Sequence, residues 1–262
     1  MTTEKAHVAN VLATRYASPE MAQIWSAEEK IVLERELWVV VLEGQRDLGL
    51  DIEDSIVEAY RSVIREVDLE SIERRERLTL HDVKARIEEF CSLAGHEHIH
   101  KGLTSRDLTE NVEQLQIKRS MILIQQRLVA VISRLAELAI EYQSTVITGR
   151  SHNVPAQTTT LGKRFANLGQ ETILAFERLE ELLQRYPLRG LKGPVGTQQD
   201  LLDLFEGDSS KVKVLEQLVA DRLGFERILN AVGQVYPRSL DLDVVSGLTQ
   251  AASPLGNIAL QI

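Results

Sequence analysis

Apolar residues recur every three or four positions over long stretches of this chain, the spacing of one buried face of an α-helix. Leu33, Leu37, Val41 and Leu48 follow it, with Trp38 beside them. Ser26-Ala27-Glu28-Glu29, just ahead, has the capping-box pattern that opens a helix, and Gly49 is a natural stop. Residues 51–65 and 69–77 read as shorter helices with charged, solvated faces. From Asp107 to Gln143 there is neither Gly nor Pro. That run predicts one rod about 50 Å long at ~1.5 Å per residue, with Ile124, Leu128, Val131, Leu135 and Leu138 along its apolar side. Leu161, Leu168, Ile173, Leu179 and Leu182 mark a returning helix, expected over Ala156–Arg185 and stopped by Tyr186-Pro187. A helix capped at Ser209 ends near Gly224, and a last one begins near Ser239. Rods of this length need partners, so the fold class is all-α with a helix bundle. The expected division is a small helical domain over 1–110 and a long-helix domain over 111–262, with residues 1–19 irregular.

Composition narrows the functional classes. The 262 residues carry 44% hydrophobic and 26% charged side chains, ordinary for a globular protein able to bury a core without staples. The formal charge of −9 argues against general nucleic-acid binding but leaves room for an anionic small substrate held by local cations. A single cysteine, Cys91, forbids an internal disulfide and suits a reducing cytoplasm. Met1-Thr2-Thr3-Glu4-Lys5 lacks the apolar core of a signal peptide, and Leu37–Leu42 is too short an apolar run to span a bilayer. The chain stops at Ile262 inside an apolar run without a stop signal, so the sequence reads as a fragment.

The chemistry concentrates in the loops. Gly149-Arg150-Ser151-His152-Asn153-Val154-Pro155 reads as a corner between two helices, with Asn153 as N-cap and Pro155 in the first turn. His152 would then precede a helix N-terminus, whose free N–H groups favour an anion and a neutral imidazole. His81-Asp82 opens another helix. Neighbours on a helix do not face each other, so a catalytic dyad is not expected there. His96, His98 and His100 alternate, but no second cluster has ligand spacing, so an exposed polar loop is expected rather than zinc, and no metal or cofactor is called for. Thr104 or Ser105 can cap the long helix, with Asp107 in its first turn, or hold a carboxylate. Arg15-Tyr16-Ala17-Ser18-Pro19 reads as a loop with one cation and one phenol. Leu188–Thr197 is a Gly-rich loop with two cations whose spacing is not that of a P-loop. Gln234 and Arg238 flank Tyr236-Pro237 ahead of the last helix.

Taken in order, these stretches resemble the adenylosuccinate lyases of the fumarase/aspartase superfamily. The widely shared part is Gly149-Arg150-Ser151-His152 followed by Thr159-Thr160-Leu161-Gly162-Lys163. The narrower part is His81-Asp82-Val83, His100-Lys101-Gly102-Leu103-Thr104-Ser105-Arg106-Asp107, Arg15-Tyr16, the Lys192–Thr197 loop, and Gln234 with Arg238. The resemblance spans nearly the whole chain. It implies anti elimination of fumarate from adenylosuccinate, giving AMP, and from succinylaminoimidazole carboxamide ribotide. It assigns His152 as the general acid and His81, with Asp82, as a substrate-side helper. Thr104 and Ser105 would bind the succinyl carboxylate, Arg15 and Tyr16 the nucleotide end, and Gln234 and Arg238 substrate anions. It also implies a homotetramer with shared sites and no membrane partner.

Two departures stand out. Leu80 occupies the position where the family has Arg before His-Asp. The family's Gly-Ser-Ser-x-Met-Pro loop, which carries the basic serine, is not found after Gln234, nor is the third helical domain, so the chain alone is expected to be inactive. Competing readings are another lyase of the superfamily, of argininosuccinate or carboxymuconate type, and a non-catalytic helical scaffold.

Overall fold

The computed structural model describes residues 10–261. Residues 1–9, which include the segment read above as lacking a signal-peptide core, and Ile262 lie outside the described residues. The chain forms two compact units, Met1–Arg119 with Pro187–Pro237, and Ser120–Tyr186 with Arg238–Ile262. This division does not follow residue 110. The first unit takes in a later segment, and the longest helix belongs to both.

The first unit opens with α1 (Val11–Tyr16) and α2 (Pro19–Ile24), where the sequence suggested irregular chain. Asn10 and Ser18 cap them with side-chain oxygens, and Pro19 supplies a ready-made first turn. Then come α3 (Ala27–Asp47), α4 (Asp54–Ser62), α5 (Leu69–Thr79), α6 (Asp82–Ala94) and the start of α7 (Ser105–Glu141). Ser26 accepts the Glu29 N–H at 3.1 Å, the cap expected from the sequence. The core forms where α3, α4 and α6 meet. Trp38 stacks on Phe90 at 6.1 Å, and Tyr60 meets the edge of Phe90 at 5.0 Å. A 3-10 turn (Pro194–Gly196), α9 (Gln199–Leu204) and α10 (Ser209–Arg222) complete this unit. The cap of α10 is Asp208 rather than Ser209: its carboxylate accepts the N–H groups of Ser210 and Lys211.

The second unit holds the rest of α7, a hairpin of β1 (Val146–Ser151) and β2 (Val154–Thr160), α8 (Leu161–Arg185) and α11 (Ser239–Gln261). The hairpin corrects the expected helix corner. Asn153 caps nothing, and α8 begins at Leu161 rather than Ala156, capped by Thr160, whose hydroxyl accepts the Lys163 N–H at 3.1 Å. The physical reason lies in the residues. Val146, Ile147, Val154 and Thr158-Thr159-Thr160 are β-branched and favour strand. Val146 pairs with Thr160 and Ser151 with Val154, with a register shift at Gly149/Arg150 opposite Pro155, which has no N–H to give. His152 (φ 51°) and Asn153 (φ 62°) make the two-residue turn with positive φ that such hairpins use. Gly162 starts α8 tightly against the end of α7, since an added Cβ there would collide with the Ala139 carbonyl oxygen. The chain is otherwise helical, with 69% of residues in helix and 6% in strand, so the all-α class stands with one hairpin added.

Two buried ion pairs join α3 to α6. Arg35 binds Glu89 and also donates to the carbonyls of Val63 and Ile64 at 3.0 Å. Next to it, the fully buried Glu34 meets Arg86 at 2.7 Å. Burial outweighs the attraction of Arg86 and Lys30 and raises the Glu34 carboxyl from 4.5 to about 7. The folded chain thus holds a proton that the unfolded chain releases earlier. The associated stability is full below about pH 4.5 and is lost as pH rises through about 7. Relative to Glu34→Gln, the wild type is expected to lose on the order of 2–3 kcal/mol between about pH 4.5 and pH 8, read from urea unfolding. A stability difference that does not change with pH would contradict this.

Candidate active site

The site is built on the first three turns of α7. Asp107, Glu110, Asn111 and Gln114 share one helical face, and all four are fully buried. The segment Pro187–Gly193 lies along that face, and Pro187, Arg189, Gly190, Lys192 and Gly193 are hydrogen-bonded to it. Gln114 accepts the Arg189 N–H at 2.6 Å and donates to the Pro187 carbonyl at 3.1 Å. Asn111 exchanges two bonds of 2.9 Å with the backbone of Gly190. The Arg189 guanidinium sits between Asp107, to which it donates, and Glu110 at 3.2 Å. Buried charge is costly unless paired and hydrogen-bonded. Here Asp107 also accepts the N–H groups of Lys192 at 2.8 Å and Gly193 at 3.1 Å, and Glu110 accepts that of Tyr236 at 2.9 Å. Lys192 itself pairs with Glu216 at 2.7 Å. Both cations of this Gly-rich loop are therefore engaged inside the fold.

This framework brings Thr104 and Gln234 together. Arg189 donates to the Gln234 carbonyl at 3.2 Å. The Gln234 side chain donates to the Thr104 hydroxyl at 3.1 Å and accepts the Val195 N–H at 2.7 Å. Val195 has φ 50°, an unusual value for a β-branched residue, and this bond helps to hold it there. The Thr104 N–H donates to Asp107 at 2.9 Å. On the other flank, Trp38 donates to His100 Nδ1 at 3.0 Å, and burial lowers the His100 imidazole to about 4, so it stays neutral. The segment read as an exposed polar loop is thus anchored in the aromatic core through His100, and Ile99 is buried. Gly102 (φ 75°) lies between these anchors, where an added Cβ would sit 2.7 Å from Leu201.

A cavity of about 460 Å³ opens at the starts of α3, α6 and α7, lined by Lys30, His81, Asp82, Ser105, Arg106 and Glu113 among others. His81 is the N-cap of α6, and its Nδ1 accepts the Lys84 N–H at 3.2 Å. That bond places the ring proton on Nε2 in the neutral form. Asp82 lies 3.6 Å from the same Nδ1, an atom with no proton to share, so the pair is not a charge relay. Asp82 accepts from Arg86 at 2.9 Å. Burial alone would raise its carboxyl, but the Val83 N–H and the charge and hydrogen bond of Arg86 outweigh burial and lower it.

The remaining predicted residues lie elsewhere. Arg15 and Tyr16 belong to α1 rather than a loop, with the guanidinium 5.6 Å from the phenol ring centroid, and neither lines this cavity. His152 sits at the exposed tip of the hairpin in the second unit, so the helix-dipole argument for its neutrality does not apply. Arg238 precedes α11, with Asp241 at 3.5 Å. No cluster of three His, Cys, Asp or Glu is gathered for a metal among the described residues. Sequence reasoning passed over Lys30, Arg86, Glu110, Asn111 and Gln114, and took Asp107 only as a first-turn acid rather than as the start of a polar stripe. The stripe's signal was there: four polar residues at helical spacing in a helix otherwise read for its apolar side.

The profile of a family described simply as lyase matches residues 14–256. The chain belongs to this lyase family. Among curated relatives, this lyase chain is 34% identical over 257 residues to the adenylosuccinate lyase of Schistosoma mansoni, covering 97% of the chain and 53% of that protein. It is 35% identical over 257 residues to that of Saccharomyces cerevisiae, covering 96% and 53%. The chain spans about half the length of the curated relatives it matches. Its fold is also that of the fumarate lyase from Mesorhizobium sp. BNC1, at TM-score 0.78 and 22% identity over 92% of this chain and 56% of that one. The 3-carboxy-cis,cis-muconate lactonizing enzyme of Pseudomonas putida matches at TM-score 0.81 and 19% identity, over 96% and 57%.

Because Arg189 is fully buried between two carboxylates, Arg189→Met should destabilise the first unit by about 3–5 kcal/mol in chemical denaturation. A loss below about 1 kcal/mol, the range of surface pairs, would show that the pair is not the anchor.

Proposed function

We propose that this chain carries the general acid and much of the substrate-anion site of an adenylosuccinate lyase. The observation that carries the reading is its similarity, over nearly its full length, to proteins of that name. The geometry supports it. Thr104 and Gln234 are joined, and Ser105 begins α7 at the cavity that Lys30, Arg106, His81 and Asp82 also line. Hydroxyls, cations and helix N-termini of this kind suit carboxylate and phosphate groups.

The reaction needs a base to remove the proton from the carbon beside a carboxylate. The C–H electrons form the double bond of fumarate as the C–N bond breaks, and an acid protonates the departing nitrogen. His152 is the acid in this reading. Its place in a two-residue turn exposes the imidazole, and Arg150, donating to the Asn153 carbonyl at 3.0 Å, braces the turn. His81 Nε2–H hydrogen-bonds the substrate beside Asp82. Thr104, Ser105 and Gln234 hold the succinyl carboxylates. Arg15, Tyr16 and Arg238 serve the nucleotide end and its anions. The base is a serine in a loop that the chain does not carry. Succinylaminoimidazole carboxamide ribotide is the second substrate, the setting is cytoplasmic purine synthesis, and the assembly is a homotetramer that shares its sites. Among described residues no helix is long and apolar enough to cross a membrane. The assembly is supported by apolar side chains of the second unit left in solvent, including Val129, Ile140, Leu242 and Leu260.

Purified chain should therefore self-associate in light scattering, and a strictly monomeric species at high concentration would contradict the tetramer. In the complete protein, adenylosuccinate cleavage followed by absorbance should proceed, and His152→Ala should lower turnover by about two to four orders of magnitude. Turnover of argininosuccinate or a carboxymuconate instead would overturn the substrate, and no turnover of any of these would favour a scaffold. The chain by itself should be inactive. A rate of roughly 1 per second or faster from it would place the base within these residues.

A further inference from the structure

Asp82 is half exposed at the rim of the cavity, yet its carboxylate is not free to turn. Three ionisable side chains form a row from the core to that rim: Glu34 at 0% side-chain exposure, Arg86 at 8%, and Asp82 at 51%. Arg86 Nε meets Glu34 at 2.7 Å, and Nη2 of the same rigid plane donates to Asp82 Oδ2 at 2.9 Å. The Glu34 carboxyl packs against the Nε edge of the guanidinium without a hydrogen bond, and the Nη2 bond sets the direction in which Asp82 is held. Another arginine–carboxylate pair four residues apart, Arg77–Glu73 on α5, lies in solvent and contributes little. Arg86 differs because it packs against a buried carboxyl kept out of water, an arrangement with a folding cost. Leu80, just before His81, offers Asp82 no cation. Its side chain is 88% exposed.

We propose that Arg86, seated against Glu34, is a positioning residue that keeps the Asp82 carboxylate aimed along the cavity rim beside His81. Arg86 is itself nearly buried, so it acts through Asp82 rather than on the substrate. The proposal rests on the reading that Asp82 serves a bound substrate, and the two are separable by experiment.

The Asp82 carboxyl is titrated by carbon-13 NMR in the chain, in Arg86→Gln and in Arg86→Lys. The midpoint should rise by about one unit or more in Arg86→Gln and recover in part in Arg86→Lys. Should Arg86→Gln fail to fold, the double variant Glu34→Met/Arg86→Met removes both charges while keeping packing, and should show the same rise. In the complete protein, Arg86→Gln should lower kcat about tenfold or more and move the acid limb of the pH–rate profile upward with Asp82. A folded variant whose Asp82 midpoint stays in place, or whose melting temperature falls while the acid limb does not move, would overturn the proposal and leave Arg86 merely structural. If Asp82→Asn leaves turnover intact while Arg86→Gln still shifts the Asp82 midpoint, the reading of the site is overturned and the anchor itself stands.

Discussion

The first unit depends on one buried electrostatic contact, the Arg189 guanidinium set between Asp107 and Glu110. It joins segments about eighty residues apart in sequence, and the backbone bonds that surround it satisfy both carboxylates. Through it the start of α7, the Gly-rich loop and the stretch ahead of Tyr236 become one piece. Removing the guanidinium would strand two carboxylates in a region without water.

That framework explains why a polar pair such as Thr104 and Gln234 can be ordered near the surface. Each is tethered on its backbone side to the buried cluster, Thr104 through Asp107 and Gln234 through Arg189, so only the side chains face outward. A second buried row, Glu34 to Arg86, reaches Asp82 from the other side of the same unit. In both cases a buried arginine beside a buried carboxyl group holds a group nearer the surface. Groups supported in this way are held in place by the fold itself.

The helices were legible because periodicity, caps and stops agree with one another. Ser26, Gly49 and Tyr186-Pro187 bound them as their chemistry dictates. The hairpin was not, because Asn153 and Pro155 suit both a helix start and a tight strand turn. What decided between them was the run of β-branched residues on either side, a signal spread over fifteen positions. The grouping of His81, Asp82 and Ser105 around one cavity was foreshadowed by loop motifs in the right order. The supporting residues were not. Asp107 looked like a first-turn acid and Arg189 like a loop cation, and nothing local reveals that residues so far apart in the chain will meet. Glu34 and Arg86 likewise carry no local signal, and only tertiary packing places them inside.

The central claim is that the buried cluster holds Thr104, Ser105 and Gln234 ready for a carboxylate within this chain alone. Titration of the isotope-labelled chain with fumarate, followed by two-dimensional NMR, addresses it most directly. The account predicts saturable shifts at the amides of Thr104 and Ser105 and at the side-chain amide of Gln234. Spectra in which these three signals stay fixed at millimolar fumarate, while the fold is intact, would contradict it.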